Sequence, residues 1–142
     1  MKTVWIVLAF LIVGLSACGG GTEAPAVEPT VSLANPASVN CVEQGGMSRI
    51  ESRPDGGQFG VCYFEDNRQC EEFALLRGDC PIGGVKVTGY VTEAGRYCAI
   101  TGGAYTVTGT GTGGEEAGNC TLPDETVCDA QAFYEGTCPS SE

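Results

Sequence analysis

From Asn35 onward, apolar and small residues fall into short runs whose period switches between helix and strand, and glycine or proline marks each switch. Asn35-Pro36-Ala37-Ser38 reads as a helix start, with Asn as N-cap and Pro at the first helical position. That helix carries Cys41 and stops at Gly45-Gly46. MSRIESR (47–53) and FGVCYF (59–64) alternate with strand period and flank PDGG, so a hairpin follows. Within it Ser48 and Ile50 share one side of the first strand, and Cys62 and Phe64 one side of the second. A tight turn at Glu65-Asp66-Asn67 leads to a return strand, and the short helix EEFALLR (71–77) closes the unit.

The same succession then repeats. A helix from Thr92 or Glu93 carries Cys98 to Gly102; AYTVT and NCTL flank the looser TGTGGEEAG; Pro123-Asp124-Glu125 turns; DAQAFYE closes. The cysteines keep the register: 41, 62, 70 and 80, then 98, 120, 128 and 138, with gaps of 21, 8 and 10, then 22, 8 and 10. Glycines follow suit, at 45–46 and 102–103, at 60 and 118, and at 78 and 136. So many special residues in register make this a duplication. The expected fold class is small α+β and disulfide-rich: two tandem helix–hairpin–strand–helix modules, 34–80 and 92–139, with a 140–142 tail. Residues 81–91, PIGGVKVTGYV, join them, and Val85, Val87 and Tyr90-Val91 are candidates for an extra strand packing one module on the other.

The region before Asn35 reads differently. Lys2, an apolar run from Val4 to Leu15 and Leu15-Ser16-Ala17-Cys18 form an export signal, 1–17, too short to span a bilayer as a mature helix. Leu-Ser-Ala-Cys resembles a bacterial lipobox, which makes Cys18 the lipidation site and first mature residue. GGGTEAPAVEPTVSL, completing 18–33, lacks aromatics and reads as a flexible stalk. Export implies an oxidising compartment, and setting Cys18 aside leaves eight cysteines, an even number.

A module of about 47 residues is too small for a self-sufficient core, and two disulfides would each add about 2–4 kcal/mol. Four cysteines allow three pairings. If the turns centre on Asp66 and Asp124, Cys62 faces Cys70 and Cys120 faces Cys128, which favours the nested set 41–80, 62–70, 98–138 and 120–128. The crossed pairing, 41–70 with 62–80, stays open. A Cys70–Cys80 bond is disfavoured, because a two-turn helix would separate them by about 10 Å.

Charge and chemistry narrow the function. Loss of Lys2 on export leaves 18 acids against six bases, a balance that argues against nucleic acid and against adsorption to anionic lipid. The chain has no histidine, so the commonest general base and zinc ligand is missing; no cofactor, metal or enzymatic activity is expected. Glu65-Asp66 and Glu71-Glu72 recur only in part in the second copy and read as solvated acids, those in a first helical turn favoured by the macrodipole. Gly109 to Gly114 lacks the lysine of a phosphate loop and is a hairpin tip. The tyrosines and phenylalanines are assigned mostly to core faces. Arg77-Gly78-Asp79 is a tripeptide that integrins bind, but its counterpart is Glu135-Gly136-Thr137; the shared glycine marks it as a helix stop.

NPASVNC, the Gly-Gly pair, DGGQFGVCYFEDNRQCEEFALLRGDC and the lipobox together resemble a family of small cysteine-rich bacterial domains of unknown function that carries a hemolysin label. Asn35 to Cys80 match its pattern well; the second copy keeps cysteines and glycines but lacks Asn-Pro and Glu-Glu. The resemblance implies an exported or lipid-anchored envelope protein and brings no catalytic residue. The expected function is that of a binding or structural module, held to the membrane through acyl chains on Cys18 and meeting an envelope or extracellular protein. Inhibition of an exogenous lysozyme or protease is the alternative, and cytolysis a second one.

Overall fold

The computed structural model describes residues 34–138. The expected signal, Cys18 and the stalk lie outside the described residues, as do residues 139–142. Module 1 runs α1 (Pro36–Glu43), β1 (Met47–Ser52), β2 (Gln58–Phe64), a 3-10 turn (Glu65–Asn67), β3 (Arg68–Glu71) and α2 (Glu72–Arg77), followed by β4 (Val85–Lys86). Module 2 runs α3 (Glu93–Ile100), β5 (Ala104–Thr110), β6 (Glu116–Thr121), β7 (Val127–Asp129) and α4 (Ala130–Tyr134). The fold is small α+β with four disulfides, as the sequence pattern implied.

Side-chain caps begin all four helices. Asn35 accepts from Ala37 N at 3.0 Å and Thr92 from Gly95 N at 3.1 Å. Glu71 accepts from Phe73 N and Ala74 N, and Asp129 from Ala132 N. At the far end of α1, Gly45 is left-handed at φ 80°, and Gly46 N bonds to Cys41 O at 2.9 Å. Gly46 is needed for a different reason. A Cβ there would collide with Cys62 Sγ, and one on Gly103 with Cys120 Sγ. The first glycine of each pair turns the chain and the second makes room for a disulfide.

Sheet A is antiparallel in the order β1-β2-β3-β4, and sheet B in the order β5-β6-β7. Ile50 pairs with Gly60, and Val107 with Gly118. The extra residue of the second copy is absorbed as a bulge between Val107 and Gly109. The expected cross-strand positions hold, Cys62 opposite Cys70 and Cys120 opposite Cys128.

The pairing of the cysteines does not follow the nested expectation. The bonds are Cys41–Cys62, Cys70–Cys80, Cys98–Cys120 and Cys128–Cys138. The disfavoured Cys70–Cys80 bond forms because α2 has only six residues and the chain doubles back after it. Gly78 is left-handed, and Asp79 N and Cys80 N both bond to Ala74 O, so Cys80 returns to a Cα separation of 5.9 Å from Cys70. Opposed cysteines on one sheet face thus take different partners: Cys62 the helix before it, Cys70 the return after it.

The cysteine face of sheet A packs on α1 and α2 through Cys41, Cys62, Cys70, Ala74, Leu75 and Cys80. The opposite face supplies Phe59 and Val61 to a second core, shared with Tyr97, Ile100, Cys120, Leu122 and Phe133 of module 2. Sheet A therefore lies between its own helices and those of the next module. Of the candidates for an extra strand, Val85 lies in β4 and Val87 is buried in this second core, whereas Tyr90 and Val91 are outside the strand and exposed. The aromatic assignment needs correction at Phe73, 43% exposed on the outer side of α2, and at Tyr90. Among the described residues no helix is long and apolar enough to cross a membrane.

Candidate functional site

The shared core builds an open polar cleft. Tyr97 on α3 meets Phe59 edge-on at 4.9 Å between ring centroids, with Phe133 at 5.1 Å and Tyr134 at 5.4 Å. One residue earlier on the same helix, Arg96 reaches across to module 1. Its Nε donates to Glu93 Oε2 at 2.9 Å, its Nη1 to Gln69 Oε1 and its Nη2 to Glu51 Oε2. Glu51 also accepts from the Tyr63 hydroxyl, and Arg49 stands over the Tyr63 ring with Cζ 5.4 Å from its centroid. Gln69 donates on to Asn67 Oδ1 at 3.3 Å. Glu51, Tyr63, Asn67, Gln69, Glu93 and Arg96, with Val87, line a cleft of about 540 Å³ between the modules.

Every charged group in the cleft is held by a neighbour. Burial works against the Arg96 charge, but Glu51 and Glu93 outweigh it and raise its pKa. Burial, reinforced by Glu51, raises the Tyr63 hydroxyl above its ordinary value. Both modules contribute, so the arrangement exists only while they are stacked. The tip of the first hairpin strengthens that contact: a Cβ on Gly136, just past α4, would lie 2.7 Å from Asp55 Oδ2.

A second polar feature lies inside module 1. Glu72 is wholly buried, and its Oε2 accepts from Ser38 Oγ at 2.6 Å. Its Oε1 has no partner among the described residues. Gly60 makes the space, since a Cβ there would strike the Glu72 carboxylate. In module 2 the same three positions are Gly95, Gly118 and Ala130. The side chain over Gly118 is Tyr105, from the neighbouring strand. The replacement of Ser38 and Glu72 by Gly95 and Ala130 in the second copy is therefore one event in space, the exchange of a buried acid for a tyrosine.

The residues singled out from the sequence are not gathered into one site. All eight module cysteines are in disulfides. Glu71 is an N-cap and burial raises its pKa, while Glu72 turns to the opposite side, under α1. Arg77 Nε bonds to Asp79 Oδ2 at 2.9 Å, and Gly78 is the left-handed helix stop. A Cβ on Gly102 of module 2 would collide with the Asp79 backbone, so the tripeptide is fastened at one end. Glu51, Tyr63, Gln69 and Arg96 do not stand out in the sequence. Their signal is the apolar alternation Phe59-Val61-Tyr63 opposite the cysteine face, which demands a cover.

The fold and its cleft define a stacked tandem of disulfide-closed α+β modules. Both copies match the family described as Domain of unknown function (DUF333), over residues 32–79 and 89–137, and the chain belongs to that family. It is 34% identical over 84 residues to Uncharacterized protein YoaF of Escherichia coli (strain K12), an alignment covering 58% of this chain and 98% of the relative. The proteins of the same name from Escherichia coli O6:H1 and Shigella flexneri match to the same extent. No solved structure matches the chain.

Proposed function

We propose that this is a lipid-anchored protein of a bacterial envelope that acts as a binding module, with the inter-module cleft as its recognition site. The observation that carries the reading is the Arg96–Glu51–Gln69–Tyr63 network. It fixes donors and acceptors from two disulfide-closed modules around an open cleft, and such preorganisation lowers the entropy lost on binding. Acyl chains on Cys18 hold the protein where net charge would not, and residues 19–33 let the modules stand off the lipid. The partner in this reading is another envelope or extracellular protein.

The test uses the lipidated chain with a photo-crosslinking amino acid at Asn67 or Glu93, on the cleft rim. A discrete adduct from cells is expected, with palmitate labelling lost in Cys18→Ser. No adduct at either position, or palmitate labelling that survives Cys18→Ser, defeats the reading. The soluble chain lacking residues 1–18 also separates the alternatives: a lysozyme or protease inhibitor blocks its enzyme at micromolar protein, and a cytolysin releases haemoglobin from erythrocytes.

A further inference from the structure

The two sheets differ by one strand. In module 1 the outer edge of β3 is covered by β4, with Arg68 opposite Lys86 and Gln69 opposite Val85. Val87 N donates to Asn67 O at 3.2 Å, and Arg68 Nη1 to Gly84 O at 2.9 Å. Gly83 and Gly84 are both left-handed, and a Cβ on Gly84 would lie 2.8 Å from Gln69 N, so glycine lets the segment come in close.

The register of the repeat sets β7 in the place of β3, with Val127 at the Gln69 position. Among the described residues no strand pairs with the outer edge of β7. Leu122 N donates to Thr126 O at 2.8 Å, so Thr126 faces β6, and by alternation Val127 turns its N–H and C=O outward. The Val127 side chain is β-branched and 60% exposed. Where module 1 sets Arg68 against Lys86, module 2 has uncharged Thr126, with Glu125 and Asp129 close by in the chain.

We propose that the outer edge of β7 is a strand-addition site for an extended segment of a partner protein. The molecule supplies the template for that segment in its own β4: glycine first, then β-branched residues alternating with a base, docked antiparallel. Main-chain hydrogen bonds to Val127 give affinity, and the base of the segment falls opposite uncharged Thr126, where module 1 sets Lys86 against Arg68. This site is separate from the cleft and does not depend on it.

The probe is the peptide Ile-Gly-Gly-Val-Lys-Val-Thr-Gly, residues 82–89 of this chain, added to the oxidised protein without residues 1–18. Saturable amide shifts are expected at Thr126, Val127 and Cys128, with about tenfold slower exchange of the Val127 amide. Residues of β3 stay unmoved, since β4 already covers them. The response should vanish with a peptide N-methylated at both valines, and in Val127→Pro, which removes the outward donor at an edge position that tolerates proline. Absence of a saturable shift up to about 5 mM peptide overturns the proposal. So do shifts confined to the cleft or to β5, or a response that survives N-methylation.

Discussion

Modules 1 and 2 share a cysteine frame and differ where they touch. On the sheet face away from its own disulfides, module 1 has Phe59, Val61 and Tyr63; module 2 has Ala117, Asn119 and Thr121 at those places. On the outer side of the first helix the bias reverses: module 2 has Tyr97 and Ile100 where module 1 has Asn40 and Glu43. Each apolar set faces the other in the shared core, and each polar set lies at an end of the stack. A duplicated module that stacked head to tail without limit would form a fibre, and polar ends stop it, as capping repeats do in solenoids. The direction of stacking is thus written in about five substitutions between copies.

The largest expected effect comes from moving an end residue into the junction. Val61 is wholly buried, and Val61→Asn sinks an amide without a partner, at a cost of about 3–5 kcal/mol by denaturant unfolding. The reciprocal Asn119→Val should change stability by less than about 1 kcal/mol, because Asn119 is only half-buried. Equal effects from the two would break the asymmetry argued above.

Next is the buried acid. Glu72→Ala should cost about 2–3 kcal/mol, from the cavity and the unpaired Ser38 hydroxyl. Gly60→Ala should be severe alone and milder in the Glu72→Ala background, with a coupling of about 1 kcal/mol or more. Additive costs would mean that the glycine is kept for another reason.

Arg96→Met, which removes the clasp but leaves a hydrophobic stem, should cost about 1–2 kcal/mol and loosen Tyr97 and Phe59 as seen by ring NMR shifts. A smaller effect follows from Glu71. Its pKa is raised above 4.5, chiefly by burial, so its contribution to stability is fully present below that value and is lost as pH rises through the folded-state value. Glu71→Gln should flatten this fall in a melting-temperature series from acid to neutral pH; an unchanged slope assigns the fall to other groups. Least of all, Asp79→Glu should shift stability by no more than about 0.5 kcal/mol, since the Arg77–Asp79 pair lies at the surface.

Periodicity and punctuation make the elements legible. Asn35, Thr92, the Gly-Gly pairs and PDGG act within a few residues of themselves, and local signals survive in a linear reading. The disulfides defeat that reading because the deciding fact is a change of direction after Gly78, not a distance along a helix. The glycines of the cysteine strands stand out as landmarks of the repeat, but their reason is out of its reach. Gly60 serves Glu72 from twelve residues away and Gly118 serves Tyr105 from thirteen, and only packing shows such partners. The cleft escapes for the same reason. Arg96 sits among small residues in AGRYCA and acquires meaning only beside Glu51 and Gln69 of the other copy.

The order in which the cysteines join has a consequence for biogenesis. Every bond links a cysteine to the next one in the chain: 41 with 62, 70 with 80, 98 with 120, 128 with 138. If the chain is exported as proposed and Cys18 is set aside by lipidation, a translocation channel presents the other eight in that order, so an oxidase that joins each newly arrived thiol to the one waiting before it makes the native set on the first pass. No pair must stay open while a later cysteine arrives, and none must be reshuffled. Under the proposed export, oxidative folding of this chain should therefore tolerate the loss of a disulfide isomerase while remaining dependent on the oxidant.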